Sequence, residues 1–469
     1  MNFEPALDTF NAIGYKILFF NVLEIIGIKH TKLPLITAFI IGSAFYFTIL
    51  LKFVNFTNLK TSFKVSLQAD DKNKSGQGIS PIKSLFAVVS SSAGLGSIVS
   101  TCAAMYVGGA GTVFWMTIAP FVLSPIRYAE VFMAHKFREK VQGLYSGNPG
   151  IYLKKGLEGT KYAKLGVFLS VSYVAAMTLG SLGGGSSFQS NQFVAIYADT
   201  FEIFANNVTL LSLGFTSVIG YFIIKGSKSI LQILGAITPY LIAIFLISSF
   251  AVIIKNYQNI IPGLQTVFKE AFSQNAAKGG ILFVILLSFH RMTITTEAAL
   301  GTACSIHSQS SREDSAEEAI SSMAPPIVTT ICVCFVTMLT VLSAQTYSQN
   351  LPGILMLKAA FATFSPALSY IVLLLTLLMS FNCIIAWGYY GLNAFKILFK
   401  TEKVIFFQII YLLAVFGGGV TSSFDSILKL TDIVNTSTAI PNLIGLILAS
   451  KLIKDGYNQF SLKHKNKNN

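Results

Sequence analysis

Charge is nearly missing from eleven stretches of this chain, each close to the ~20 residues that a membrane-spanning helix needs: 34–52, 83–107, 112–134, 165–198, 208–224, 230–254, 280–304, 325–345, 365–395, 404–420 and 435–453. Only 12% of the 469 residues are charged and 53% are hydrophobic, whereas soluble domains carry about 25% charged residues. A water-soluble globule and a disordered chain are both excluded. The segments lack the apolar–polar alternation of strands, so a membrane β-barrel is excluded too. The chain reads as an all-α integral membrane protein of about 11 transmembrane helices.

Residues 1–33 precede the first span (34–52). The stretch from Phe10 to Ile28 carries Lys16, Asn21 and Glu24 among apolar residues. It follows Glu4 and Asp8 rather than a basic leader, which makes a signal peptide a poor fit. It reads as an interfacial helix, with a twelfth span as the other option. If sides alternate from a cytoplasmic 53–82 loop, 24 Lys and Arg fall inside and 8 outside. That bias is the positive-inside pattern. It puts the amino terminus outside the cell (inner) membrane and the basic tail, 454–469, in the cytoplasm. The net charge of +14 is thus a matter of topology, and no nucleic-acid partner is called for. Lys463, Lys465 and Lys467 sit in the tail, either solvated or against anionic membrane lipid. The five Cys lie in apolar segments without paired spacing, so neither disulfides nor zinc are supported. The five His are scattered, and no nucleophile–base pair or metal cluster marks an enzyme.

Two spans carry polar clusters at mid-depth. One is Ser90-Ser91-Ser92-Ala93-Gly94-Leu95-Gly96-Ser97 and the other His290-Arg291-Met292-Thr293-Ile294-Thr295-Thr296-Glu297. In hydrocarbon each unsatisfied polar group costs several kcal/mol, so such clusters belong where backbone unwinds against a cavity or is buried in protein. With the first span set aside, the rest divides into two five-helix sets, 83–254 and 280–453, and each set is led by one interrupted helix. An odd repeat length inverts the second set across the membrane. Inverted repeats with matching interruptions point to the midplane site of a secondary transporter; close helix packing through Ser and Gly is the plainer alternative.

Several local motifs lie at and between these interruptions. They include Gly108-Gly109-Ala110-Gly111-Thr112-Val113-Phe114-Trp115-Met116, Tyr128-Ala129-Glu130 with Lys136-Phe137-Arg138-Glu139, Gln189-Ser190-Asn191, Glu297-Ala298-Ala299-Leu300-Gly301, Trp387-Gly388-Tyr389-Tyr390-Gly391 and Ala439-Ile440-Pro441-Asn442. On them the chain resembles the alanine/glycine:cation symporter family from about Ile79 to Lys454. The resemblance implies a LeuT-like fold of the APC superfamily, a 5+5 inverted repeat with two broken helices. It implies symport of a small neutral amino acid with sodium as coupling ion, by alternating access. The chain departs from the family at Gly94-Leu95-Gly96-Ser97, where the pattern is GTGN. It departs again at Asn382-Cys383, where a Thr pair is usual. These departures leave open the same fold with another small substrate or with proton coupling. A receptor that binds without transporting is a further alternative.

The resemblance assigns roles residue by residue. Gly94, Gly96 and Ser97 form the unwound turn whose amides meet a substrate carboxylate. Gln189 receives the amino-acid carboxylate through a neutral amide, or else ties helices together. Thr293 and Thr295 offer hydroxyls and freed carbonyls, and Trp387 walls the side-chain pocket or packs a core. For the monovalent cation, Ser92 and Ala93 offer carbonyls, and Asn382 and Cys383 stand at the remaining positions. Sulfur is a soft and poor ligand for such an ion. Arg291 and Glu297 are intramembrane charges expected to pair across a break between them. His290 is read as a proton relay or a polar residue lining that break. Arg127 and Glu130, at i, i+3 spacing, are expected to pair with each other.

Overall fold

The structure, a computed structural model, describes residues 4–26, 33–67, 80, 88–89, 92–141, 144–225, 228–273, 280–401 and 403–468. Pro81, Ser90 and Ser91 lie outside these residues, as does much of the start of the second expected span. The main helices are α1 (Glu4–Leu18), α2 (Leu35–Leu50), α3 (Leu95–Gly108), α4 (Thr112–Lys136), α5 (Ala163–Thr200), α6 (Val208–Lys225), α7 (Lys228–Lys255), α8 (Gly280–Thr296), α9 (Ser315–Ser343), α10 (Pro366–Phe399), α11 (Ile405–Val420), α12 (Phe424–Leu448) and α13 (Ser450–Asn468). Every apolar segment marked in the sequence overlaps one of them. Five helices (α5, α6, most of α7, α9 and α10) are long and apolar enough to cross a bilayer. A sixth is added if α12 and α13, bent by 66°, count as one span. The molecule is an all-α membrane protein. Its strand structure among the described residues is a hairpin, Glu139–Val141 with Leu144–Ser146, too short for a period-two pattern to announce.

The outer surface fits a lipid solvent. Ile247, Ile254 and Leu210 are 71%, 69% and 66% exposed, which water would penalise and hydrocarbon does not. Inside, polar backbone is matched with care. Pro125 within α4 has no N–H and so frees the carbonyl of Phe121. That oxygen is taken by Ser124 Oγ at 2.8 Å and Asn55 Nδ2 at 3.3 Å. A proline is tolerated in a buried helix when side chains fill its gap in this way.

Three apolar clusters hold the helices together. One joins α2, α4, α5 and α12, with Phe47, Leu123, Ile126, Leu169 and Leu443 at its centre. A second surrounds α3 and packs it on α9 and α10 through Ile98, Val99, Val341 and Leu375. The third joins α6, α10 and α11 through Ile219, Ile384 and Tyr411. The amino-terminal helix α1 lies against α12. Gly14 makes this approach possible, because a Cβ there would stand 2.7 Å from Ile433 Cδ1. Asn11 Nδ2 donates to Ser426 O at 2.8 Å, and Asp8 Oδ1 accepts from Ser426 Oγ at 2.7 Å. The opposite face of α1 exposes Ile13 and Ile17, as an amphipathic helix at an interface does.

Candidate functional site

The first interruption falls at Ala93 and Gly94. Val88, Val89 and Ser92 are helical, Gly94 is extended at φ −91° and ψ −167°, and α3 begins at Leu95. Ser97 stitches the two sides, its hydroxyl donating to the Ser92 carbonyl and its N–H to the Gly94 carbonyl at 3.1 Å. Ser92 Oγ lies 2.8 Å from Thr329 Oγ1 of α9. A Cβ at Gly94 would meet no described atom within 4 Å, whereas one at Gly96 would lie 3.9 Å from Gln189 Nε2. Among the described residues the interruption therefore borders open space and lies beside Gln189.

Gln189 follows a π-helical turn at Gly183–Ser187 in α5. Such turns widen a helix by one residue and release a carbonyl. Ser186 Oγ and Ser187 Oγ both donate to the Leu182 carbonyl, at 2.6 and 2.7 Å. Three glycines let other helices touch this turn directly: a Cβ would strike Val434 at Gly183, Asn435 at Gly184 and Trp387 at Gly185. Gln189 Nε2 donates to the Gly184 carbonyl at 3.2 Å, while its Oε1 is buried without a partner. Asn435 Oδ1, beside the same glycine, is likewise unpartnered. Gly96, Gln189 and Trp387 thus gather around one turn, joined by Asn435. Sequence reading missed Asn435, whose only signal was its place in the polar run Asn435-Thr436-Ser437-Thr438 at the start of an apolar segment.

The second interruption comes later than the sequence suggested. α8 is unbroken through His290, Arg291 and Thr293 to Thr296, and the chain unwinds at Glu297–Gly301, with positive φ at Glu297 (56°), Ala299 (72°) and Gly301 (72°). The threonines fit inside the helix because Thr293 and Thr296 donate to their own carbonyls, Phe289 O at 2.9 Å and Met292 O at 2.7 Å. The expected Arg291–Glu297 pair does not form, since six residues on an intact helix face different ways. Arg291 Nη2 pairs with Asp432 instead, and Glu297 Oε2 accepts from Thr302 Oγ1 at 2.6 Å. Nor do Arg127 and Glu130 pair with each other. Both grip the unwound strand: Arg127 Nη1 donates to the Glu297 carbonyl at 3.3 Å, and Glu130 Oε1 accepts from Gly301 N–H at 3.0 Å. Asn442 Nδ2 donates to both Glu130 Oε1 (2.7 Å) and the Ala299 carbonyl (2.8 Å), and Tyr173 takes the Leu300 carbonyl at 2.9 Å. The freed backbone here is satisfied by protein.

A cavity of about 580 Å³ lies between the two interrupted helices, lined among others by Tyr15, Tyr106, Leu287, His290, Arg291 and Asp432. Gly94, Gln189 and Trp387 do not line it.

The model of the sodium:alanine symporter family matches residues 19–469. The chain belongs to that family. Sodium/alanine symporter AgcS of Methanococcus maripaludis is 27% identical over 92% of this chain and 95% of its own length. The probable sodium/glutamine symporter GlnT of Bacillus subtilis is 26% identical over 92% and 90%. A putative sodium/proton-dependent alanine carrier of Bacillus subtilis, YrbD, is 27% identical over 56% and 52%. The family is one of transporters, not enzymes.

The remaining site residues of this sodium:alanine symporter family member make separate contacts. Thr293 spends its hydroxyl on its own helix, whereas Thr295 Oγ1, one residue before the last of α8, is buried and unpartnered. Asn382 Nδ2 donates to Thr238 Oγ1 of α7 at 2.8 Å, and Cys383 beside it is partly buried. Among the described residues no hydrogen bond links either of them to Ser92 or Ala93.

Proposed function

We propose that this chain is a secondary active transporter that carries a small neutral amino acid together with sodium. It does so by alternating access through eleven spans arranged as a LeuT-like 5+5 inverted repeat. Family membership over nearly the whole chain and the substrates named for its relatives support the sodium and amino-acid parts. The observation that carries the site is the interruption at Ala93–Gly94, with no described atom against Gly94 and the amide of Gln189, whose oxygen is buried and unpartnered, beside Gly96. An extended Gly94 and the first amides of α3 present N–H groups to a carboxylate, as helix amino termini do. The Gln189 and Asn435 oxygens present acceptors to an ammonium, and Trp387, pressed on Gly185, limits the side chain to a small one. Ser92 and Ala93 carbonyls hold the cation; Asn382 is bonded to Thr238 of α7 rather than to them. Cys383 adds little to a hard ion.

Alternating access follows if ion and amino acid both favour one conformer. The moving seam runs between α3 with α8 and the α5–α10–α12 side, with the second interruption clamped by Arg127, Glu130 and Asn442 as a fixed bend. The amino terminus lies outside and α13 in the cytoplasm of the cell (inner) membrane.

Uptake of radiolabelled alanine into proteoliposomes tests the proposal. Accumulation should need an inward sodium gradient and vanish in potassium. Gln189→Ala should weaken uptake about tenfold, as loss of one buried hydrogen bond to a charged group does. Accumulation that follows a pH gradient and ignores sodium overturns the choice of ion, and binding without flux overturns transport itself.

A further inference from the structure

The cavity between the interrupted helices has a floor that the transport cycle above does not use. There the Asp432 carboxylate holds two groups and stands beside a third. Arg291 Nη2 is paired with Oδ2, Tyr15 Oη of α1 donates to Oδ2 at 3.1 Å, and His290 Nε2 lies 3.3 Å from Oδ1. His290 is 4% exposed and Asp432 1%. Neither His290 nitrogen has an aligned hydrogen-bond partner, and Asp432 Oδ1 has none either. The Phe19 ring of the segment after α1 stands edge-on to the imidazole at 5.2 Å. Asp425, Lys429 and Tyr106 are the other charged or titratable groups lining this cavity. A buried imidazole with two idle nitrogens beside a carboxylate, at the floor of a cavity, is poorly satisfied as a neutral packing residue.

We infer that His290 and Asp432 form a proton-binding site that controls the docking of α1 over this cavity. A proton from cavity water adds to the free imidazole nitrogen. The trio of Arg291, Asp432 and His290 then passes from a net charge of zero to one positive charge. The imidazolium Nε2–H donates to Asp432 Oδ1, so the carboxylate is shared by two cations. Its hold on the Tyr15 hydroxyl weakens, and with it the bond that ties α1 to α12 at this depth. Acid outside the membrane therefore loosens α1 and opens the cavity more often. The assignment of this face to the outside rests on the topology proposed above; the proton site itself does not.

Hydrogen exchange of the full chain in lipid nanodiscs, read by mass spectrometry on peptides from Glu4–Leu18 and corrected for the intrinsic pH dependence of exchange, is the test. Between pH 8 and pH 6 the wild-type α1 should lose protection about fivefold. His290→Gln and His290→Asn should each hold protection within about twofold across that range. Asp432→Asn should weaken docking at both pH values and remove the response. A wild-type response that persists in either His290 variant, or no response in the wild type, overturns the site. Absence of alanine uptake at every pH, with the α1 response intact, would sink the transport reading and leave the proton site standing.

Discussion

Glu130 is buried completely in α4, and its Oε1 receives both the Gly301 N–H and the Asn442 amide. It organises the second interruption in place of a substrate. Sequence spacing identified Glu130 and Arg127 as charges on one helical face but not what they touch. Their partners lie some 170 residues away in the chain, beyond the reach of any local rule. Glu130→Ala leaves those donors unpaired in a low-dielectric interior and should cost about 3 kcal/mol, read as a lower midpoint in thermal unfolding of the detergent-solubilised protein. Glu130→Gln, which keeps one acceptor oxygen, should lose clearly less. At Ala299, φ of +72° strains a residue with a Cβ, and the surrounding hydrogen bonds from Asn442 and Tyr173 hold it there.

Among the elements, the π-turn of α5 shows how a pattern can be visible while its use is not. Gly183-Gly184-Gly185 stands out in the sequence as a run that no helix favours. Only the packing shows that each glycine admits a different neighbour, with Trp387 on the third. Gly185→Ala meets the root of the Trp387 side chain, so it should shift the α10 backbone there and reduce alanine uptake; unchanged uptake would remove Trp387 from the site. The break in α8 was misplaced for a related reason. Threonines count as polar in a sequence, yet Thr293 and Thr296 satisfy themselves on the helix, so the unwinding waits for Glu297. Beyond that break, the short helix Cys304–His307 carries a histidine whose burial holds it neutral below the usual range, although Glu318 at 2.6 Å pulls the other way. The unfolded chain takes up a proton near pH 6.5 that the folded one declines. Stability should therefore fall as pH drops from 7 toward 5 and be regained as it rises, seen as a loss of several degrees in melting temperature that His307→Gln reduces.

For the whole molecule, hydropathy was enough to read an all-α membrane protein, because the bilayer forces every span to hide its backbone within itself. Depth, tilt and partner choice were not legible, since apolar side chains pack on lipid and on one another with similar ease. The cavity with His290, Arg291 and Asp432 illustrates the limit. Asp432 comes from a segment whose apolar run begins only at residue 435, so nothing in the sequence joined it to α8. The central claim is that amino acid binds where the broken helix at Ala93–Gly94 meets Gln189, not in the cavity lined by Arg291 and Asp432. An electron cryo-microscopy map of the protein with alanine and sodium decides between them most directly. Ligand density within hydrogen-bonding distance of the Gly96 backbone and the Gln189 amide is the predicted result. Density resting only against Arg291 and Asp432, with the gap at Gly94 closed by side chains, contradicts it.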